Sequence, residues 1–436
     1  MGHYVFLIGP FYLLLVIFVD SSLLRWLAFM VPALRREPNA AKIAAARKKS
    51  EHAAKRAAEP KMKYWFGILF SILYIGASIL MPIGYFVPVG LVQKVLRRIG
   101  YCMLIVNIYL FMAIFLFFIL GLLLWLFRVI SRDCFERGTY LRIGLTIAIL
   151  AGLGMVVYGE INARIIRVNH YEISVDKDGG KIPVGADGKP HLRIALIGDL
   201  HLGYNAGASM MRDMVDKINK EDVDLVLIAG DIFDNAYDAI ENDEELIEIL
   251  ASLKSKYATL AVYGNHDVED NLIFGFNFSA HDKLHDERYY KFLEKANISL
   301  LEDEVLDLFD ESVYIVGRRD EEEPGLRLSQ GEKRKTAGEL TRNLDKSKIL
   351  IDLEHEPKEV PEVAAAGFDL QLAGHTHNGQ FFPLNLGIGR IYFNAFGYKV
   401  YENKLHTVTT AGVGSYGPFN RACVDPEIMI LDITFQ

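Results

Sequence analysis

LRIALIGDLH (192–201), VDLVLIAGDIFD (223–234) and TLAVYGNHD (259–267) decide how this sequence reads. Each is a short apolar run that stops at a glycine and passes at once to Asp, Asn or His. Runs of this kind form strands buried on both faces, as in a largely parallel sheet. Helical patterns fall between them, at Met210 to Lys220 and Ala239 to Lys254, so the order predicts βαβ units. The open crevice of such a sheet lies beyond the carboxyl ends of its strands, where these polar residues sit. Glycine lets the chain turn sharply there and leaves room for an ion.

Working outward, Val168 to Val175 alternates like a strand, and Asp176 to Pro190 has the Gly, Pro and Asp of a turn. Further strands are expected at Ser312 to Gly317, Lys348 to Leu353, Asp369 to Ala373, His406 to Thr410 and Ile428 to Phe435. The later ones follow one another without clear helices, which predicts a second sheet packed on the first. Two more segments end strands in the same way, LEHEP (353–357) and GHTHNGQ (374–380).

The candidate ligands are then Asp199, His201, Asp231, Asn265, His355, His375 and His377. Asp199 with His201, and His375 with His377, are i,i+2 pairs, whose side chains share one side of extended backbone. Seven nitrogen and oxygen donors exceed the needs of one four-coordinate zinc. With no cysteine among them, they suit two divalent ions sharing a carboxylate, of the Mn, Fe, Zn or Mg type. Asp234 either orients a ligand or satisfies a turn.

GDLH, GDxxD, GNHD and GHTHNGQ, in that order between apolar strands, resemble the calcineurin-like metallophosphoesterase superfamily. The apolar segments ahead of them resemble its membrane-anchored branch, with members in bacteria and animals. The resemblance covers residues 168 to 436 and implies an α/β/β/α sandwich of two mixed sheets. It implies that Asp199, His201 and His377 hold one metal, that Asn265, His355 and His375 hold the other, and that Asp231 bridges them. His266 becomes a catalytic histidine, oriented by Asp234 or Asp267. Two departures stand out. Glu354 and Glu356 flank His355 where members carry small or polar residues, and Asn378 replaces a common glycine. GVGSYGPFNRACVDP (412–426) is similar to a Gly-, Pro- and Arg-containing segment of the anchored branch. Arg421 in it is a candidate substrate-phosphate contact, or a structural ion pair.

The first 165 residues are chemically different. They hold 19 Lys and Arg against 7 Asp and Glu, whereas residues 166 to 436 balance to −20 within a chain of net −8. An acidic domain repels a phosphate backbone, so no nucleic-acid partner is expected. Tyr64 to Val92 and Ile99 to Phe127 are long enough to span a bilayer. Tyr4 to Val31, interrupted by Asp20 and Arg25, and Ile143 to Gly159 complete an expected four-span anchor over residues 1–165. Residues 35–63 carry ten Lys and Arg, which marks a cytoplasmic loop. Four spans then leave both chain ends outside, so a multi-pass cell-membrane protein with an extracytoplasmic phosphoesterase domain is expected. Three cysteines exclude a disulfide-framed scaffold.

Phosphate esters repel nucleophiles, and two metals about 3.5 to 4 Å apart overcome this by activating water and holding phosphoryl oxygens in line. The expected reaction is hydrolysis of a phosphomonoester, phosphodiester or pyrophosphate. The substrate is small or lipid-linked, because the anchor holds the site near membrane lipids. The loops at Asn271 to His285 and Phe381 to Tyr401 are apolar enough to touch an acyl chain. Some superfamily members cleave UDP-diacylglucosamine in lipid A assembly, but that substrate is made on the cytoplasmic face. A metal-binding receptor or scaffold ectodomain without turnover is the alternative of another class.

Overall fold

The computed structural model describes all residues except 1, 37–38, 52, 55–60, 132–137, 186–187, 235, 269–271, 274–275, 278–286, 321–333 and 436. Contacts divide the chain into two compact units, Met1–Tyr158 and Gly159–Gln436.

The N-terminal unit is helical: α1 (Gly2–Met30), α2 (Ala40–Arg47), α3 (Tyr64–Ser78), α4 (Leu80–Gly84), α5 (Leu91–Leu126) and α6 (Gly138–Asn162), whose last turn enters the second unit. Among the described residues three helices are long and apolar enough to cross a membrane, Gly9–Met30, Leu91–Leu126 and Tyr140–Asn162. The expected four spans are thus corrected to three. The run from Tyr64 breaks after 15 helical residues, about 22 Å of rise against the roughly 30 Å of hydrocarbon. Pro82 is the cause in the sequence, because it has no N–H for the carbonyl of Ser78 four residues earlier. That carbonyl accepts the Tyr12 hydroxyl instead, at 3.1 Å. Asp20, inside the first span, is buried and accepts a hydrogen bond from Ser71 at 2.7 Å. The basic segment is helical over Ala40–Arg47, with Asn39 accepting the Lys42 N–H as its N-cap.

The second unit is built from two six-stranded sheets. Its elements in chain order are β1 (Arg167–Val175), β2 (His191–Ile197), α7 (Ala208–Ile218), β3 (Leu225–Ala229), α8 (Asp243–Ala251), β4 (Ala258–Val262), α9 (Glu287–Lys295) and β5 (Ser299–Leu300). These are followed by β6 (Glu304–Leu308), β7 (Val313–Gly317), β8 (Ile349–Leu353), α10 (Val360–Ala366), β9 (Leu370–Ala373), β10 (Gly397–Tyr401), β11 (Leu405–Thr409) and β12 (Glu427–Phe435). The first sheet runs β1-β12-β2-β3-β4-β5 and the second β6-β7-β8-β9-β11-β10. Both are mixed: β2 to β5 are parallel with β12 antiparallel to β2, and β7, β8, β9 and β11 are parallel between two antiparallel edge strands.

Period-two alternation assigns the faces. In β2 and β3, Ile194, Leu196, Leu225 and Leu227 meet Ile315, Ile351 and Leu372 of the other sheet. Their neighbours Ala195, Ile197, Val226 and Ile228 turn to Met211, Met214, Leu246 and Phe292 of the outer helices. Val316 and Leu350 meet Val360 and Val363 on the far side. Helices therefore cover both outer faces of a two-sheet sandwich. That requirement for apolar residues on both faces is why these strands read as unbroken apolar runs. The parallel strands β2, β3 and β4 point their carboxyl ends the same way, as do β8 and β9, and the polar motifs follow directly.

Candidate metal centre

Three of the five motifs leave their strands through backbone that ordinary residues avoid. Asp199, His201, Asp231, His375 and His377 all have positive φ, between 47° and 68°. Left-handed backbone costs a non-glycine residue of order 1 kcal/mol or more, and it persists only where surrounding structure enforces it. Gly230 has φ +75°, and a Cβ there would lie 2.6 Å from His355 Nδ1. A Cβ on Gly264 would lie 2.4 Å from Asp231 Oδ1. The glycines that end the strands are the space into which the ligand side chains fold.

Asp231 organises the cluster. Its Oδ1 accepts the His266 N–H at 2.8 Å, which turns Oδ2 between His201 Nε2, at 3.7 Å, and His355 Nε2, at 3.2 Å. On one side Asp199 Oδ1 lies 3.4 Å from His377 Nε2, which lies 3.0 Å from His201 Nε2. On the other, Asn265 Oδ1 lies 3.1 Å from His355 Nε2 and 3.2 Å from His375 Nδ1. His375 Nδ1 and His355 Nε2 are also 3.2 Å apart. The structure thus gathers all seven predicted ligands into two sets that share one oxygen.

Donor atoms about 2.1 Å from a common ion, at angles of 90° to 120°, are about 3.0 to 3.6 Å from each other. The observed separations of 3.0 to 3.7 Å match those edges. Asp199, His201 and His377 form one potential metal group, and Asp231, His355 and His375 another. The residues fit two divalent ions.

Electrostatics favour the same reading. Burial lowers His201 to about 3 and holds His375 and His377 well below their ordinary value, so their lone pairs are free at neutral pH. Burial pushes Asp199 up to about 7. Burial alone would lower His355, but the Asp231 carboxylate outweighs it and raises that histidine well above its usual range. For Asp231 burial works upward, yet the charges of His355 and His266 hold it well below the carboxylate range. Without metal, the cluster therefore stores protons on Asp199 and His355.

Several supporting residues were not legible in the sequence, because their contacts are long-range. His355 Nδ1 lies 2.8 Å from the Ala229 carbonyl, which points Nε2 into the cluster. Glu356, buried and paired with Lys358, lies 3.9 Å from His375 Nε2. Glu354 turns away, to Arg318 at 3.0 Å and Arg334 at 2.8 Å. Tyr416 packs at a tilt of 48° against His266, with ring centroids 4.3 Å apart, and its backbone is held by both ends of the Gln380 amide.

Three expectations sharpen. His266 is buried, and one of its ring nitrogens lies within 4.8 Å of an Asp234 and a His201 donor atom, a third potential metal group. The two oxygens of Asp267 accept the N–H groups of Phe233 and Gly264, strapping the GD and GNHD loops together. Arg421 is fully buried, and its guanidinium donates to the Ala411 carbonyl at 2.8 Å, to Ser415 and Gly414, and to His377 Nδ1 at 2.8 Å. Placed so, Arg421 braces His377, and a buried guanidinium needs its donors satisfied. Of the expected loop at Asn271 to His285, only Leu272–Ile273 and Phe276–Asn277 are among the described residues.

Residues 192–379 match the family model for calcineurin-like phosphoesterases. A metallophosphoesterase of Campylobacter jejuni is 28% identical over 56% of this chain and 60% of its own length. One of Aquifex aeolicus is 28% identical over 66% of this chain and 97% of its own length. A zebrafish transmembrane protein with a metallophosphoesterase domain is 27% identical over 70% of this chain and 66% of its own length.

Asp231→Ala removes the shared oxygen, so both ions are expected to be lost; elemental analysis finding two per chain would refute the sharing. Metal uptake must displace the protons on Asp199 and His355. Affinity should therefore rise with pH, about tenfold per unit for each proton displaced, with the Asp199 share ending near pH 7 and the His355 share continuing above it, in chelator competition. A flat profile from pH 5.5 to 8.5 would contradict the stored protons.

Proposed function

We propose that this chain, whose C-terminal half is a calcineurin-like phosphoesterase domain, is a membrane-anchored hydrolase of a phosphomonoester, phosphodiester or pyrophosphate. The observation that carries the reading is the pair of donor sets sharing Asp231 Oδ2. Two divalent ions, when bound, supply Lewis acidity toward phosphoryl oxygens and a water acidic enough to attack at neutral pH. The remaining roles belong to the chain. Asp231 sets the separation of the two sets through the hydrogen bond that fixes its other oxygen. His355 and His377 are aimed by the Ala229 carbonyl and by Arg421. His266 stands beside the cluster without belonging to either donor set, and we assign it the leaving-group oxygen, as proton donor or charge stabiliser. Asp234 is the carboxylate near enough to orient it.

The number of spans bears on sidedness. With three crossings, the domain returns to the side of residues 35–63, whose ten Lys and Arg exceed Arg128, Arg132, Arg137 and Arg142 on the opposite connection. The positive-inside rule then favours a cytoplasmic domain, in place of the extracytoplasmic one that an even count required. On that side, hydrolysis of the UDP-diacylglucosamine type meets no topological obstacle and remains a narrower alternative. A receptor or scaffold that binds metal without turnover is disfavoured, because all seven donors are present with His266 beside them.

His266→Ala should keep both ions and lose about 100- to 10,000-fold in kcat on bis-p-nitrophenyl phosphate. Unchanged turnover removes His266 from the chemistry, and no turnover by metal-loaded wild type favours the receptor reading. Cys423 is exposed and reports the side. With Cys102 and Cys134 changed to serine, an impermeant maleimide should label it only after cells are permeabilised; labelling of intact cells would restore the extracytoplasmic side.

A further inference from the structure

The last turn of helix α6 is bonded to the loop that braces a ligand. The Arg421 N–H donates to the Gly159 carbonyl at 2.9 Å. Asn162 Nδ2 donates to the carbonyls of Arg421 and Val424, at 2.8 and 3.0 Å, and to Asp425 Oδ1 at 2.9 Å. The Arg421 guanidinium reaches His377. Within the second unit, Arg421 therefore joins residues 159–162 to His377. The next carbonyl, that of Ala422, accepts the Phe382 N–H at 2.8 Å, and Phe382 starts the loop that follows GHTHNGQ.

That loop, residues 381–396, turns apolar side chains outward. Leu386 is 68% and Ile391 73% exposed, and Leu384, Phe393 and Phe396 are exposed beside them. Its base is fixed, since Thr376 donates to the Ala395 carbonyl at 2.6 Å and Asn394 to the carbonyls of Gly397 and Thr407. Tyr392 within it faces His375, with ring centroids 5.9 Å apart. From Phe381 to Tyr401 the only charged side chains are Arg390 and Lys399, on a domain that is otherwise strongly acidic. A basic, apolar island of this kind matches an anionic bilayer surface, where apolar tips enter the acyl boundary and cations meet headgroups.

We propose that loop 381–396 docks into the bilayer from which α6 emerges, so that the metal centre acts on a phosphoester carried by a lipid. This rests on the hydrolase reading above. The P–O bond to the leaving group breaks, water oxygen bonds to phosphorus, and one water proton passes to the leaving oxygen. The lipid keeps either the phosphate or the alcohol, according to which bond is cleaved.

The test uses the full chain in nanodiscs of phosphatidylcholine and phosphatidylglycerol, with its three cysteines changed to serine. Bimane on Ile391→Cys should be quenched by doxyl-labelled lipid, and bimane on Glu244→Cys of helix α8 should not. Equal, weak quenching at both sites overturns the docking, as does cross-linking of Ile391→Cys to a second copy without quenching. The double variant Leu386→Ser, Ile391→Ser should lower by about tenfold the ratio of turnover on vesicle-borne phosphatidic acid, phosphatidylglycerol or CDP-diacylglycerol to turnover on bis-p-nitrophenyl phosphate. Turnover of the soluble diester with none of the lipids overturns the lipid substrate and leaves the hydrolase reading intact. Quenching with no turnover of any ester leaves the docking standing and removes the hydrolase reading.

Discussion

The carboxylate of Asp231 cannot serve two sets of donors unless its rotation is arrested, and the arrest comes from a backbone N–H on another strand's loop. The His266 N–H takes one oxygen, so the other is left between His201 and His355. Everything else in the domain brings those loops to that point. β3 delivers Asp231, β4 delivers Asn265 and His266, and β8 of the second sheet delivers His355, so the shared oxygen sits beyond the carboxyl ends of strands from both sheets. Asp267 ties the first two loops by accepting from both. The left-handed backbone at five ligand residues is affordable only in a domain whose large inter-sheet core leaves the strand ends no freedom to relax.

Much of this was legible in the sequence because strand burial and ligand chemistry share a punctuation mark. An apolar run followed by glycine and a donor residue states both where a strand ends and what stands there. Ile194 to Ile197 and Leu225 to Ala229 could be read that way, and the ligands with them. The edge strands β6 and β10 were not, since Glu304, Asp307 and Lys399 give them the composition of loops. The second shell was invisible for a different reason. Arg421 and His377 are 44 residues apart and Asn162 and Arg421 are 259 apart, and no local pattern encodes such pairings. The anchor misled where hydropathy ignores backbone donors: Tyr64 to Val92 is apolar throughout, but a helix through Pro82 loses the bond that Tyr12 makes up.

The opposed charges of the two halves acquire separate physical meanings. The basic residues cluster between the first and second apolar helices, away from the acidic domain in sequence. Within that acidic domain, residues 381–401 carry Arg390 and Lys399 and no acidic side chain. The base of that loop and the brace of His377 are held by neighbouring residues, Ala422 and Arg421.

Strand β12 gives the domain a fixed order of assembly. It lies between β1 and β2, the earliest strands of the sandwich, yet it is made after every other strand. Until residues 427–435 leave the ribosome, β1 has no partner and β2 has an open edge, and the ligand loops hang from an unfinished sheet. The apolar helices of the first 158 residues are therefore synthesised well before residues 427–435 complete the sheet that carries the ligand loops.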